Sequence, residues 1–301
     1  MGPCFTFQDF KKIELQDQSS IQAFLRKFPQ KISTYTFAHL LSWENIYKLE
    51  WLAVSDELLL ISCVPTNDDG KRHLLQPIGD FSKEFQETVF TLARGMNYPL
   101  KIFDVSQNFC EKYRDFVTLF DLDENRDGAN YVYLAKDLAF LQGSKYAKKR
   151  NHISQAESGY GWTVGELTRE CGPACIKILE NLSYPDVPTG TLENERETLR
   201  TTMQHFGQLN QYGIMVKVNG QPVAFSIFEE LNPSTAVVRY EKANRALRGI
   251  YQIVNQETAR IIYEKKYCYI NREEDMGDDG LRHAKLSYHP ATLEPAYILK
   301  K

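Results

Sequence analysis

"YGIMVKVNGQPVAFSIFEEL", residues 212–231, is two apolar runs joined by Asn-Gly. Asn and Gly both tolerate positive φ, which a two-residue turn between twisted strands requires, so the stretch reads as a β-hairpin. "TAVVRYEKA" (235–243) follows at once and supplies a third strand. The chain then enters "NRALRGIYQIVNQETARIIYEKK", which opens as a loop and settles into a helix. There Ile250, Ile253, Val254, Ala259, Ile261 and Ile262 keep an apolar stripe at helical spacing. "YCYIN" (267–271) is a further strand. An antiparallel meander, a helix and a strand beside it make the second half α+β.

Working outward, "SKYAKKRNHIS" is helix-compatible and "YGWTV" reads as a strand. "GELTRECGPACIKILENL" predicts a helix in which Gly172-Pro173 is an awkward interruption. "TLENERETLRTTMQHF" predicts a charged helix with Thr191 as N-cap. The first half has a similar rhythm. "LEWLAVSDELLLISCV" is strand, turn and strand, and "KRHLLQPIG" could add another. In "DFSKEFQETVFTLARGMN" Phe85, Val89, Phe90 and Ala93 share a helical face that Gly95 closes. "LKIFDV" reads as a strand, "NFCEKYRD" as a short helix, "FVTLFDL" as a strand, and "AYILKK" as a last strand. The polar stretch "DENRDGAN" (123–130) is expected to be a seam, dividing domains at 1–125 and 126–301. Asp123, Asn125, Asp127 and Gly128 match the first half of an EF-hand loop, but Leu134 stands where a bidentate Glu is required, and strand-like flanks replace the helices. Turn chemistry accounts for the same residues.

With 301 residues, 43% of them hydrophobic and 25% charged, the chain can build a real core. A net charge of −3 gives no whole-molecule attraction to nucleic acid or anionic membrane, so any such attraction must be local. No run approaches the roughly 20 apolar residues that cross a bilayer, and the first residues do not resemble a secretory signal. "MGPC" is only a loose match to a myristoylation pattern. Six dispersed cysteines without a C-x-x-C pair point to a reducing cytoplasm. Cys171 and Cys175, at i,i+4, read as small buried residues.

Chemistry concentrates in two places. The first is the start of the helix near 250, where unpaired backbone N–H groups suit phosphate or pyrophosphate. Lys242, Arg245 and Arg248 precede it, and Gly249 lets the backbone come close to a ligand. A basic loop with a helix-starting glycine would look the same. The second is "INREEDMGDDGLRHAKLSYHP" (270–290). Glu273, Glu274 and Asp275 could supply a general base, Arg272 and Lys285 could orient an anion, and Tyr288 could return a proton. A surface loop whose charges neutralise one another has the same composition. Lys145, Lys148, Lys149 and His152 form a basic helix face, with Arg150 beside it, that could track phosphates of RNA or lipid headgroups or simply be solvated. No second histidine accompanies His152 at ligand spacing, so no metal site is expected. Nothing matches a Ser/His/Asp triad, a Walker A loop or G-x-G-x-x-G.

"LQGSKYAKKRNHI", "VVRYEKANRALRGIYQIVNQETA" and "INREEDMGDDGLRHAKLSYHP" resemble three blocks of the DUF2156 family, the C-terminal domain of phosphatidylglycerol lysyltransferases. "STYTFAHLLSWENIY" resembles its N-terminal block. The resemblance implies two tandem GNAT-like domains with mixed, mainly antiparallel sheets flanked by helices, the first degenerate, with a cleft between them. It implies an acyl- or aminoacyltransferase taking its group from a CoA thioester or an aminoacyl-tRNA, without a metal. The acceptor would be an amine, a peptide or a lipid hydroxyl. The donor-binding set would be Lys242, Arg245, Arg248, Gly249 and Tyr251. The substrate-binding set would be Lys145, Lys149, Arg150, Asn151, His152, Asn271 and Arg272. Catalysis would fall to Glu273 or Asp275 as base, with Lys285 and Arg272 orienting and Tyr288 as acid. The full lysyltransferases carry a membrane-embedded half that this sequence does not contain, which puts the lipid acceptor in doubt and leaves peripheral membrane contact open. A non-catalytic tandem-GNAT binding module is the alternative, and a calcium-dependent interaction protein rests on 123–128 alone.

Overall fold

The structure, a computed structural model, describes residues 5–182 and 189–301, so the "MGPC" motif lies outside the described residues. The chain divides into two compact units, Met1–Asn130 with Glu294–Lys301, and Tyr131–Leu293. In chain order the first unit contains β1 (Lys11–Lys12), α1 (Gln18–Lys27), α2 (Phe37–Tyr47), β2 (Glu50–Ser55), β3 (Leu58–Cys63), β4 (His73–Leu75) and β5 (Ile78–Gly79). It continues with α3 (Lys83–Gly95), β6 (Lys101–Ser106), α4 (Gln107–Lys112) and α5 (Arg114–Val117). Strand β7 (Asp121–Leu134) ends in the second unit. There follow α6 (Ala135–Phe140), α7 (Ala147–Gly159), β8 (Trp162–Glu166), α8 (Gly172–Glu180), α9 (Thr189–Gln204), β9 (Tyr212–Val218), β10 (Gln221–Asn232) and β11 (Thr235–Ala243). Then come α10 (Ile250–Glu264), β12 (Tyr269–Asn271), α11 (Asp279–Leu286) and β13 (Thr292–Lys300), whose last residues belong to the first unit.

In the first unit, β3 is buried at every position, which its sequence LLLISC permits, and it pairs antiparallel with β2, β4 and β5. Strand β6 lies parallel to β4 and antiparallel to β13. Helix α3 lays Val89 and Ala93 on this sheet's core, with Phe85 and Phe90 packed beside them. Of the expected strand "FVTLFDL", residues 116–120 are instead the end of a short helix and a turn, and only Asp121 and Leu122 are strand, the start of β7. Phe109, Tyr113, Phe116 and Phe120 repeat every three or four residues, and Phe81 meets Phe116 edge-on at 4.9 Å. That aromatic cluster holds the segment helical against its β propensity. The stretch 123–130, expected as an irregular seam, is part of β7.

In the second unit the Asn-Gly turn forms as expected, with φ of 50° at Asn219 and 76° at Gly220. Alternate residues of the meander serve two cores. Ile214, Val216, Ala224 and Phe228 face α7 and α10, while Met215, Phe225 and Ile227 face α8 and α9. This two-sided burial explains why β9 and β10 read as continuous apolar runs. Strand β12 pairs parallel with β11 and antiparallel with β7, so the sheet is mixed and mainly antiparallel. Gly172-Pro173 does not interrupt a helix; proline sits in the first turn of α8, where a missing N–H costs nothing. Helix α9 already begins at Thr189, so Thr191 lies inside it. Cys175 is buried in the α8–α9 core, with Cys171 packed against it. Among the described residues, no helix is long and apolar enough to cross a membrane.

Gly249 decides how α7 and α10 meet. Its φ is +87°, and a β-carbon there would lie 2.4 Å from the carbonyl oxygen of His152. Gly249→Ala should therefore lower stability by about 2 kcal/mol, from left-handed strain and the forced separation of the helices. Thermal denaturation reads this directly. An unchanged melting temperature would mean that the two helices do not touch at this point.

Candidate functional site

The segment that follows β12 folds around two buried charges. Asn271 is fully buried, and its Oδ1 accepts the Glu273 N–H at 2.7 Å. Glu273, Met276 and Gly277 all have positive φ, so the chain turns sharply here. Lys285, 7% exposed, donates from Nζ to the carbonyls of Arg272 (2.7 Å) and Glu274. Burial pulls its pKa down to about 8. Asp275 is the second buried charge. It accepts from Tyr131 Oη at 2.6 Å, from Arg282 Nε at 2.9 Å and Nη2 at 2.8 Å, and from the Gly277 N–H at 3.0 Å. Burial alone would raise its pKa, but the Arg282 and Tyr131 hydrogen bonds outweigh it and hold the carboxyl well below the usual range. Both groups are engaged in holding the segment. Their geometry gives neither a free face for an acceptor.

Helix α11 was not expected within this segment. Asp278 caps it, accepting the Leu281 N–H at 2.7 Å, and the helix brings Ser287 and His289 round to face α7.

Glu273 and Arg272 lead in two other directions. Glu273 accepts from Arg239 Nη1 at 2.7 Å, and Arg239 Nε donates to Glu229 at 2.6 Å. Arg239 and Glu229 are almost wholly buried, whereas Glu273 keeps a quarter of its side chain exposed. Burial pushes its carboxyl up to about 7, against the pull of Arg239. Glu273 therefore changes protonation near neutrality. Arg272 donates from Nη2 to Glu241 at 2.6 Å, and its guanidinium lies 5.1 Å from the ring centre of Tyr288 and 5.7 Å from that of Tyr133.

Beyond Tyr288 opens a pocket of about 430 Å³. Lys145, Lys148, Lys149 and His152 line one side, His283, Ser287 and His289 the other, and Gln252 of α10 completes it. Lys149 Nζ sits 3.9 Å above the centre of the Tyr288 ring and donates to Ser287 Oγ at 2.6 Å. Burial, then Arg272, then Lys148 bring its pKa down to about 8. Burial likewise lowers His152, helped by Arg248 and the two neighbouring lysines. Tyr288 is buried, which raises its phenol far above the ordinary value, and its hydroxyl pairs with Gln252. A proton bound so firmly makes it a poor acid. Lys145 pairs with Asp137 at 3.0 Å.

The remaining expected residues scatter. Arg150 turns back to the carbonyls of Leu141 and Gly143 and braces the turn before α7. Asn151 is exposed and does not line the pocket. Lys242, near the end of β11, is tied to Glu195 of α9 at 2.6 Å, and Gly249, just before α10, approaches α7 rather than open space. Arg245 and Arg248 are exposed, with Tyr160 donating to the Arg248 carbonyl at 2.7 Å. Tyr251 packs against the α7–α10 core. Glu229, Arg239, Glu241, Gln252, His283 and Ser287 were not singled out as site residues. For the first three there was a signal: charges set inside the apolar strands "FSIFEEL" and "VVRYEKA" must find partners in the interior.

The profile of the family described as "Phosphatidylglycerol lysyltransferase, C-terminal" matches residues 25–300. Among solved structures, a conserved protein of unknown function from Bacteroides thetaiotaomicron VPI-5482 is 31% identical, with a TM-score of 0.87 over 97% of this chain and 98% of that one. L-PGS from Bacillus licheniformis is 14% identical, with a TM-score of 0.66 over 95% and 92% of the two chains. A tandem GNAT protein from the clavulanic acid biosynthesis pathway is 9% identical, with a TM-score of 0.55 over 97% of each. These last two likenesses are of fold alone. No curated protein matches the sequence. The chain has the α+β fold of tandem GNAT-like proteins and belongs to the family of phosphatidylglycerol lysyltransferase C-terminal domains.

Proposed function

We propose that this protein is an acyl- or aminoacyltransferase whose second GNAT-like domain holds the anionic end of an activated donor in the Lys145–His289 pocket. The division at 1–125 and 126–301 would then separate a degenerate first domain from the one that carries the site. The observation that supports the reading best is the pocket's lining. Three lysines and three histidines surround about 430 Å³, and no carboxylate lines it. Phosphates of either CoA or a tRNA end would be favoured there. Of the two donors, aminoacyl-tRNA suits the surroundings better. Lys242 is occupied by Glu195 and Gly249 by α7, so two elements of the expected pyrophosphate cradle serve packing. The exposed Arg245 and Arg248 continue the positive surface that a longer phosphodiester would follow.

In the reaction, the acceptor's nitrogen or oxygen bonds to the donor's ester carbonyl carbon and loses its proton to a base. The bond to the ribose oxygen breaks as that oxygen takes the proton back from the base. Glu273, in the segment after β12 and a quarter exposed, is the candidate to take that proton. Asp275 and Lys285 hold the segment that carries it.

A second reading has a specific observation behind it. Asp275, Lys285 and Tyr288 are each buried and already bonded, as in a binding module that has no catalysis to perform. Thermal shift and transfer assays separate the two. Saturating aminoacyl-tRNA at a hundred times its dissociation constant should stabilise the protein by about 2.7 kcal/mol. Lys148→Ala should weaken that effect, and labelled aminoacyl groups should move to an amine or hydroxyl acceptor. Stabilisation by acetyl-CoA alone would make CoA the donor. Binding without transfer to any acceptor would leave the module.

Glu273 yields a separate expectation. As base it must be ionised, so the transfer rate should rise with pH through about 7. Glu273→Gln should cut the rate about 10²- to 10⁴-fold. Stability runs the other way. Its folded pKa lies above the unfolded one, so its contribution is full below about 4.5 and is lost as pH rises towards about 7. Glu273→Gln should flatten that limb of the stability curve, as measured by urea denaturation at several pH values. Asp275→Asn should instead lower stability by about 3–5 kcal/mol at neutral pH, since it leaves Arg282 and Tyr131 without their buried carboxylate.

A further inference from the structure

One pair in the pocket has no part in the chemical step just described. Ser287 Oγ and Lys149 Nζ are 2.6 Å apart, and both line the cavity. The serine follows α11, and its hydroxyl donates to the Ala284 carbonyl at 2.6 Å. The lysine is half-buried against the Tyr288 ring. A serine within hydrogen-bond reach of an amine base, opening into a pocket, is the geometry of a Ser–Lys nucleophile.

We propose that Ser287 is an acyl-accepting nucleophile served by Lys149, so that the pocket forms a covalent serine ester from an activated carboxylic ester and can hydrolyse it. This goes beyond the transferase reading, because it needs neither Glu273 nor a second acceptor. Lys149 in its neutral form takes the Ser287 hydroxyl proton as Oγ bonds to the carbonyl carbon. The bond to the alcohol leaving group then breaks, and the leaving oxygen takes that proton from the Lys149 ammonium. In the second half, water gives a proton to Lys149 while its oxygen adds to the same carbon. Ser287 Oγ departs and recovers the proton. Ester and water become acid and alcohol, with serine and lysine restored.

The surroundings bring the lysine's neutral form within reach near pH 8, although the Tyr288 ring face itself favours the ammonium. Lys148 on its own helix and Arg272 from the segment after β12 add positive charge to the effect of burial, which brings its pKa to about 8. Tyr288 offers its ring face and Gln252 a neutral amide. When Lys149 loses its proton, the serine hydroxyl can rotate from the Ala284 carbonyl towards Nζ. Lys148, in the same pocket, supplies positive charge for the oxyanion of the tetrahedral intermediate.

The test treats the full chain with a fluorophosphonate and with p-nitrophenyl acetate, reading adducts by intact mass and peptide mapping. One adduct is expected, on Ser287, forming faster as pH rises through about 8. Ser287→Ala should abolish it. Lys149→Arg keeps the charge and the reach but cannot give up a proton near neutrality, so labelling should fall about 10²-fold or more while the melting temperature holds. No adduct on the folded wild-type protein would overturn the proposal. So would an adduct that survives Ser287→Ala, which would place the nucleophile on an amine, or undiminished labelling of Lys149→Arg. Donor binding is read separately by thermal shift, so a failure here and a failure of the transferase reading are distinguishable.

Discussion

The ammonium of Lys285 is the point around which the candidate site is arranged. It is almost wholly buried, and it bonds to the carbonyls of Arg272 and Glu274, on either side of the left-handed Glu273. A cation in such a place is stable only while those oxygens stay there, so the lysine fixes the path of residues 272–274. From that path follow the stacking of Arg272 on Tyr288, the reach of Glu273 to Arg239, and the turn of α11 that carries Ser287 to Lys149. Asp275, with Arg282 and Tyr131, closes the same segment from its other end.

The fold of the second unit was legible because its strongest signals are local. An Asn-Gly turn between apolar runs and an apolar stripe along a 15-residue helix leave few alternatives. What was misread depended on partners distant in sequence. "FVTLFDL" has strand propensity, yet Phe81 draws Phe109 and Phe116 into a helical cluster. "DENRDGAN" has turn composition but lies within a long strand, so its composition alone does not set its conformation. Gly172-Pro173 shows the limit of reading proline without knowing where a helix starts.

At the site, the sequence could show which segments were dense in functional groups but not which way each group points. Lys148, Lys149 and His152 lie on α7, and their spacing brought them to one pocket wall, with Lys145 reaching it from the turn before the helix. Asp275, Lys285 and Tyr288 look in the sequence like exposed reagents. Their burial follows from backbone turns that composition does not encode. Ser287 and Gln252 carried no signal, since neither residue type is unusual at a helix end or on a helix face.

The distribution of charge in this unit also differs from what the chain's net charge would imply. The protein is slightly acidic overall. Yet Glu229, Glu241, Asp275 and Glu195 are matched within the fold by Arg239, Arg272, Arg282 and Lys242. Each such pair removes a carboxylate from the field that a ligand meets. What remains at the pocket is Lys148, Lys149 and three histidines, with Lys145 shared with Asp137. The same pairing places the Arg272 guanidinium beside Tyr288 and within range of Lys149, where its positive charge disfavours a second one. A fold that pairs its acids internally thus obtains both an anion-attracting pocket and, within it, a lysine that parts with its proton more readily than a solvated one.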